Sequence, residues 1–229
     1  MAAARSTTKD TPKGTQPPRI SAPVTRNFEF TDAAAELLLA RDDRERERFA
    51  DTDLTDYDLS GIRFAECELD TLTLTGTQLR GARFVETAII RPFAPVLTAA
   101  RTSWREVRVT SPRWGSAELF ESDLTNVQIS GGKIDFLNLR NCTLTDLLIE
   151  DCFLGELDLG GAKATRVAFR NCRIGTLDVT NARLADVDLR GNEFAQINGL
   201  DGLRGATIDD YQLSLLAPVL AAHVGLRIE

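Results

Sequence analysis

The chain has 229 residues, a net charge of −7 at pH 7 and an isoelectric point near 4.9. This negative balance argues against a protein that coats nucleic acid or an anionic membrane surface, and no apolar stretch is long enough to span a bilayer. The N-terminus lacks the apolar core of a signal peptide, so the sequence predicts a cytoplasmic protein.

Residues 1–30 are predicted to form a disordered basic tail, because Ser, Thr, Pro and Lys dominate and little can be buried. Asp10 is the single acidic residue before Glu29, and it is opposed by Arg5, Lys9, Lys13, Arg19 and Arg26. A basic tail of this kind can touch an acidic partner, but a solvated leader is the favoured interpretation.

Residues 31–48 (TDAAAELLLARDDRERER) are predicted to form a helix that covers the first part of the following domain. Ala, Leu, Glu and Arg are strong helix formers. Thr31 or Asp32 can accept hydrogen bonds from the first free backbone amides.

From Phe49 to Phe194 almost every fifth residue is a large apolar residue, the exceptions being Ala94, Ala99 and Ala164. We call these positions the centres. A step of five residues wanders around an α-helix and alternates between the two faces of a continuous strand. The period therefore predicts short extended pieces separated by corners that all turn the same way.

The positions around each centre agree with this interpretation. Two residues after the centre, Gly, Asn or Asp recurs, which places the corner there because these residues tolerate tight-turn backbone angles. Two residues before the centre, small or apolar residues recur and are expected to point inward. That position holds Cys67, Cys142, Cys152 and Cys172, which are predicted to be small buried hydrophobic residues, since their wide spacing is unlike that of zinc ligands.

Units such as residues 122–126 (SDLTN) and 187–191 (VDLRG) resemble the pentapeptide-repeat family, whose unit is A-(D/N)-L-x-x. The resemblance implies an all-β solenoid, a right-handed quadrilateral β-helix with twenty residues in each coil. We assign residues 49–198 to this β-helix, with helical caps at both ends because a solenoid needs its terminal coils covered.

Residues 90–118 depart from the pattern, since Pro92, Pro95 and Pro112 cannot donate to a sheet ladder. Two alternatives are open, a degenerate coil or a loop of compensating length. The stretch also holds Arg101, Trp104 and Arg105, a candidate partner-binding patch because Arg and Trp are enriched at binding hot spots. A solvated bulge whose tryptophans fill space is the favoured alternative.

Residues 199–229 are predicted to form a helical cap in which Leu213, Leu216 and Leu220 share one face. This face either seals the last coil or forms a homodimer contact. The second alternative follows from the resemblance, because gyrase-targeting members of the family dimerise through a similar C-terminal segment.

No catalytic, metal or cofactor site is predicted. The one histidine, His223, is far along the chain from the cysteines, and no Ser-His-Asp or Cys-His arrangement can be assembled. Phosphate-cradling and zinc-protease motifs are missing as well. The sequence therefore predicts a protein that is not an enzyme.

The resemblance implies a candidate function, since some bacterial family members mimic DNA and bind DNA gyrase. On a coil of twenty residues, Asp58, Glu118, Asp158 and Asp178 fall in one outward column, a candidate partner-binding site for gyrase or another type II topoisomerase. The likeness to the fluoroquinolone-resistance members is only general, and the arginines at 91–113 interrupt the acidic surface.

The alternative function is an interaction scaffold for another protein, unrelated to topoisomerases. Some positions that should point outward are apolar, namely Phe120, Phe136, Leu148 and Phe153. Neither hypothesis requires a cofactor, a membrane or direct contact with nucleic acid.

Overall fold

The computed structural model describes residues 14–21, 29–34, 36 and 38–227. They form a parallel β-solenoid of about nine coils that ends in a C-terminal helix. The solenoid predicted from the five-residue period is thus confirmed. Within the described ranges, no helix has the length and apolar character needed to cross a bilayer.

Two parallel sheets run along the rod. The larger sheet contains β1 (Thr31–Asp32), β2 (Asp43–Glu45), β3 (Glu47–Ala50), β4 (Arg63–Ala65), β5 (Glu68–Asp70), β6 (Arg83–Val85), β7 (Ala88–Ile90), β9 (Ser103–Thr110), β11 (Asp123–Ser130), β13 (Thr143–Glu150), β15 (Lys163–Arg170), β17 (Arg183–Asp188) and β19 (Ala206–Thr207). The smaller sheet contains β8 (Phe93–Thr98), β10 (Arg113–Glu118), β12 (Lys133–Asn138), β14 (Phe153–Asp158), β16 (Arg173–Asp178) and β18 (Glu193–Asn198).

The register fixes the size of a coil. Trp114 pairs with Ile134, and Leu154 pairs with Ile174, so each coil takes twenty residues. Successive coils are therefore rungs about 4.8 Å apart. Residues that differ by twenty stand directly above one another in a column.

Most corners are made by a residue in the left-handed region, as at Asp56 and Gly76, where φ is 63° and 70°. From Val96 onward, one corner of each coil has no positive φ, and the six strands of the smaller sheet run through it, each six residues long. The residues at this corner are Val96, Ser116, Phe136, Glu156, Thr176 and Gln196. Val96 and Phe136 disfavour the left-handed region, whereas residues of the same types as Ser116 and Glu156 adopt it elsewhere, at Ser111 and Glu106.

The centres fill the interior. Phe64 stacks on Phe84 with ring centroids 5.7 Å apart, and Phe84 lies 4.5 Å from Trp104. The four cysteines are free and buried, as predicted. The Cys142 thiol donates to the carbonyl of Leu119 at 3.1 Å, which satisfies the polar group inside the apolar core.

The helix predicted over residues 31–48 is wrong, because residues 31–32, 43–45 and 47–50 lie in β1, β2 and β3. Arg44 occupies a centre and pairs in register with Phe64. Its guanidinium is 2.7 Å from the Glu47 carboxylate and lies over the Phe49 ring. Strand pairing therefore overrides the local helix propensity. Because the centre at Arg44 is charged, the apolar pattern does not show that the repeat has already begun there.

Residues 90–118 form regular coils rather than a loop, which corrects the predicted irregularity. Pro92 and Pro112 fit because the N–H at this position is not used by the main-chain ladder. In later coils it donates to a side chain instead, as Gly132 does to Cys152 Sγ and Cys172 to Asn192 Oδ1. The proline carbonyls still accept, since Pro92 O binds Arg113 N at 2.9 Å.

The C-terminal cap contains a 3₁₀ turn (Leu200–Leu203), β19 and α1 (Asp210–His223). Asp209 caps α1 reciprocally with Gln212, each side chain accepting from the other's backbone N–H. Gln212 is buried against the last coil, so the predicted helical cap is present at this end.

Candidate interaction surfaces

The four acidic residues proposed as a partner site do lie in one column. The register connects Asp58 to Gln78, Thr98, Glu118, Asn138, Asp158 and Asp178 in turn. Asp158 and Asp178 are direct neighbours, whereas uncharged residues separate the other two. We call this set the acidic column.

The carboxylates of the acidic column bind their own corners. Asp58, Asp158 and Asp178 accept from the backbone N–H two residues later, at 3.0, 2.8 and 2.8 Å. Hydrogen bonds from the side chain and backbone of Ser60 lower the pKa of Asp58. Burial opposes the shift at Asp178, but hydrogen bonds from Thr180 and Asn198 and the charge of Arg140 together lower its pKa. Asp58 and Asp178 are thus held ionised by the fold.

Glu118 and Asp158 are the least available members of the column. Glu118 accepts from Asn138 Nδ2 at 2.7 Å and from the Ser116 hydroxyl at 2.7 Å. Asp158 is only 5 % exposed and lies 3.3 Å from Arg140 Nη1. Part of the negative charge is therefore compensated within the rod.

The predicted patch of Arg101, Trp104 and Arg105 does not form on the surface. Trp104 is a centre residue, buried in the core, where its Nε1 donates to Thr102 Oγ1 at 2.7 Å. Arg101 and Arg105 are exposed, and Arg101 pairs with Glu121 at 2.6 Å. The five-residue period already predicted that Trp104 points inward. The presence of Arg and Trp in one stretch was therefore not evidence of a surface patch.

The C-terminal helix exposes an apolar surface, but not the one predicted. Leu216 and Leu220 are half-buried, while Leu213 is 49 % exposed. The most open apolar side chains on α1 are Tyr211 and Leu215, at 72 % and 58 %. A homodimer contact would therefore use the side of α1 that carries these residues.

The other outward apolar residues do not act as one surface. Phe153 is exposed, Phe120 and Phe136 are half-buried, and Leu148 is buried. The burial of Leu148 is unexpected for a side chain that points away from the core. It indicates that something covers this side of the rod.

Residues 14–21, which we call the arm, lie against this side. We call the surface beside the arm the arm face, and it comprises Asn126, Asp146 and Asp186, which bind the arm, and the neighbouring Leu148, Arg166 and Ala168. The prediction of disorder is wrong for the arm, while residues 1–13 and 22–28 lie outside the described residues. The signals that sequence reasoning missed were the Pro17-Pro18 pair and the polar corners spaced by multiples of twenty.

Three main-chain N–H groups attach the arm to the corners. Gln16 N donates to Asp186 Oδ1 at 3.1 Å, Arg19 N to Asp146 Oδ1 at 2.9 Å, and Ser21 N to Asn126 Oδ1 at 3.1 Å. Arm numbers rise as corner numbers fall, so the arm runs from the C-terminal coils toward the N-terminal ones.

Further contacts hold the two ends of the arm. The Thr15 and Thr207 hydroxyls are hydrogen bonded to each other. At the other end, Asn126 Nδ2 donates to Ser21 Oγ at 2.6 Å, and Arg108 Nη2 donates to the Ser21 carbonyl oxygen. Side-chain groups of the rod thus hold the arm at Thr15, Gln16, Arg19 and Ser21.

The Asp146 carboxylate is positioned by the rod itself. Arg166 Nε and Nη2 donate to its two oxygens, each at 2.7 Å. This pairing lowers the pKa of Asp146, and the N–H of Arg19 acts in the same direction. A bidentate pair of this kind fixes the acceptor geometry before the arm binds.

The search of curated proteins found no match, whereas a family model of pentapeptide repeats matches residues 48–84 in eight copies. Similar solved structures include trypsin-treated and full-length QnrB1, described as a plasmid-mediated fluoroquinolone resistance protein. The trypsin-treated form has 21 % identity, covers 83 % of this chain and 92 % of that one, and gives a TM-score of 0.46. The full-length form has 19 % identity, 82 % and 94 % coverage, and a TM-score of 0.36.

A third solved structure is HetL, a pentapeptide-repeat protein involved in heterocyst differentiation regulation in the cyanobacterium Nostoc. It has 18 % identity, covers 75 % of this chain and 91 % of that one, and gives a TM-score of 0.37. The family match agrees with the apolar centre at every fifth residue and with the four-cornered coil of twenty residues. Residues 48–84 of the chain are pentapeptide repeats.

Proposed function

We propose that this chain is a non-enzymatic binding protein whose partner is another protein, with DNA gyrase or another type II topoisomerase as the first enzyme to test. In this proposal it acts in the bacterial cytoplasm as a mimic of DNA. It forms a homodimer through α1 and contacts neither nucleic acid nor membrane directly.

The acidic column carries the proposal. Asp158 and Asp178 stand on adjacent rungs, about 4.8 Å apart. A straight row of fixed negative charges is the feature of duplex DNA that attracts DNA-binding proteins irrespective of sequence. The hydrogen bonds to the corners hold the acids in a fixed geometry, so a partner pays little ordering entropy to meet them.

The proposal of a non-enzymatic role is supported by the state of the nucleophilic groups. Burial raises the pKa of Cys172 to about 11 and that of Cys142 to about 12. Thiols in this state are inert, because the thiolate is the nucleophile. His223 lies at the end of α1 beside Asp201, 3.3 Å away, rather than beside a cysteine of the repeat.

The decisive experiment measures DNA supercoiling by purified gyrase as the protein is titrated, with and without a fluoroquinolone. The test variant is Asp158→Asn with Asp178→Asn, which removes two charges but keeps an acceptor for each corner. Asn138 shows that this replacement fits, since its Oδ1 accepts from Arg140 N at 3.2 Å in the same column.

The matched control is Asp53→Asn with Asp188→Asn. Both acids make the same contact with the backbone N–H two residues later, at 2.9 and 3.1 Å, but lie outside the acidic column. Inhibition or drug protection that is lost in the test variant and kept in the control supports the mimic. Equal loss in both variants, or no effect of the wild type in large excess, rejects it for this enzyme.

An interaction scaffold unrelated to topoisomerases is the second candidate. The observation that favours it is the open apolar side of α1, where Tyr211, Leu215 and Val219 are 72 %, 58 % and 48 % exposed. Exposed apolar patches commonly mark protein contacts. Retained partner capture by the Asp158→Asn, Asp178→Asn variant would support this alternative.

A further inference from the structure

The spacing of the arm's hydrogen bonds matches the spacing of the rungs. From Asp186 to Asp146 is two rungs, roughly 9.6 Å, and the arm covers this distance with the three residues from Gln16 to Arg19. A polyproline II helix advances about 3.1 Å per residue, or roughly 9.3 Å over three. An extended proline-containing segment therefore keeps the donors of Gln16 and Arg19 in register with corners two rungs apart.

The prolines lie where the rod offers no acceptor. Between Asp146 and Asp186 the corner residue is Arg166, whose guanidinium can only donate. The arm residues at this level are Pro17 and Pro18, which have no N–H to leave unpaired. Arm residues that donate an N–H thus lie opposite corners that can accept, and the two prolines lie opposite the corner that cannot.

The arm face also has an apolar floor. Leu148 and Ala168 pair in register, point outward, and are only 6 % and 2 % exposed. They follow the corners Asp146 and Arg166 by two residues, beside the bound arm. Pro18 and Ile20 are half-buried, and we attribute the burial of this floor to them.

The main-chain ladder of the solenoid does not use the side-chain acceptors of the arm face. The backbone of residues 143–150 is paired with the neighbouring strands β11 and β15 through main-chain register. The side chains of Asn126 and Asp186 instead point to the arm. The arm face is thus a preformed row of acceptors and apolar surface on a rod that is otherwise complete.

We propose that the arm face is a binding site for an extended, proline-containing segment of a partner protein, and that residues 14–21 fill this site from within the same chain. The fitting segment offers one N–H, then two prolines, then N–H groups three and five residues after the first. A positive side chain such as Arg19 suits a surface that contains Asp146 and Asp186. The inference does not depend on the topoisomerase hypothesis.

Tethering sets the competition between arm and partner. A short tether gives the arm an effective concentration on the order of millimolar. A free segment with the same contacts is therefore excluded until the arm is released or the partner adds contacts elsewhere. The arm thereby keeps the site closed to weak ligands.

The test uses full-length chains. In the released-arm variant, Pro17→Gly, Pro18→Gly, Arg19→Asp and Ile20→Asp remove the extended geometry and place negative charge against the acidic corners. The probe is a fluorescently labelled peptide of residues 14–21, and its binding is followed by anisotropy. We expect the peptide to bind the released-arm variant at least about tenfold more tightly than the wild type, whose site is filled.

Two further variants locate the binding. Adding Asn126→Gly and Asp186→Gly to the released-arm variant removes two acceptors while keeping left-handed corners, where φ is 56° at both residues. We expect the affinity to fall about tenfold. The matched control adds Asn141→Gly and Asn181→Gly, at corners with φ of 55° and 59° in another column, and keeps the affinity.

A modified peptide tests the hydrogen bonds directly. Methylation of the Arg19 nitrogen removes the donor to Asp146, and we expect this peptide to bind at least about fivefold more weakly. Circular dichroism melting of each variant verifies that the rod is folded. Absence of peptide binding to a folded released-arm variant overturns the proposal, as does equal binding by the variant that lacks the Asn126 and Asp186 acceptors.

Hydrogen exchange on the wild-type chain gives an independent readout. The amides of Gln16, Arg19 and Ser21 should be protected, and Asn126→Gly with Asp186→Gly should remove the protection at Gln16 and Ser21. Rapid exchange of all three amides in the wild type would mean that the arm is not seated, which overturns the proposal as well.

Discussion

Gln212, in the first turn of α1, donates from Nε2 to the carbonyl oxygen of Leu189 at 2.7 Å, across a separation of 23 residues. Inside the rod, the Thr77 hydroxyl makes the same contact with Leu54, also 23 residues earlier. The cap therefore continues the hydrogen-bond pattern of a coil with a side chain taken from a helix. This is how the last rung is closed without another strand in that position.

The first prediction follows from this closure. Gln212→Ala removes the donor to the buried carbonyl of Asn192 and one of the two side-chain donors to that of Leu189, which also accepts from Asn192 Nδ2, and we expect the free energy of unfolding to fall by about 1–3 kcal/mol. The control is Gln196→Ala, because Gln196 is exposed and binds only the Asn198 side chain in the described structure. Equal denaturant midpoints for the two variants would contradict the assigned role of Gln212.

The second prediction concerns the two kinds of corner. Asn181 is exposed and left-handed, with φ of 59°, so Asn181→Val should cost about 1–3 kcal/mol of stability. Thr176 lies at a corner without positive φ, so Thr176→Val should change stability by less than about 0.5 kcal/mol. Chemical denaturation of both variants makes the comparison, and a reversed order would refute the assignment of the corners.

The third prediction separates packing from partner contact at residues 104 and 105. Trp104→Ala removes a ring that packs on Phe84 in the core and should lower the free energy of unfolding by about 3–5 kcal/mol. Arg105→Ala, at the exposed neighbour, should change it by less than about 0.5 kcal/mol. Thermal and urea unfolding test this, and a stable Trp104→Ala protein would be inconsistent with the buried position.

The fourth prediction concerns pH. The pairing with Arg166 lowers the pKa of Asp146 in the native state below its unfolded value of about 3.9. The ionised carboxylate therefore contributes its full stabilisation above about pH 4, and this contribution is lost as the pH falls through the native pKa. We expect the amide resonance of Arg19 to report release of the arm at this acidic transition.

Asp146→Asn should remove the acidic transition of the Arg19 resonance, because the group that titrates is gone. Asp53→Asn is the control, since hydrogen bonds from the side chain and backbone of Thr55 also lower the pKa of Asp53, which does not contact the arm. A transition that persists in Asp146→Asn would assign the titration to another group.

The fifth prediction tests the homodimer. Leu215→Asp with Val219→Asp places two charges on the open apolar side of α1, where both residues are exposed. If α1 forms the interface, analytical ultracentrifugation should show a dimer for the wild type and a monomer for this variant. Ser214→Asp, at an exposed polar position of the same helix, should leave the dimer intact. A monomeric wild type would remove the dimer from the proposed function.

The solenoid was predictable because the residue types at each position of the five-residue unit all indicate the same structure. The centres, the inward cysteines and the left-handed corners all follow from residue types at fixed positions within five residues. The start of the repeat was missed because Arg44 stands at a centre, where only its contacts with Glu47 and Phe49 make a charge acceptable. Pro92 and Pro112 misled because the ladder spares the N–H of the position that they share.

The arm was not predictable in the same way. Its composition is typical of disorder, and nothing local to residues 14–21 indicates a partner. The information lies more than a hundred residues away, in corners that come together only when the rod has formed. The contact depends on how the coils stack and bring distant corner residues into line with the arm. Local sequence patterns do not contain this information.

The left-handed corners have a consequence for the evolution of the molecule. Because every coil takes twenty residues and repeats the same set of corners, duplication or deletion of a whole coil lengthens or shortens the rod with little strain. The N–H donors of the arm, however, fit acceptors that are one and two rungs apart. A gain or loss of a coil between Asn126 and Asp186 would change this spacing, and the donors would no longer meet their acceptors. The arm therefore confines such length changes to the rest of the rod.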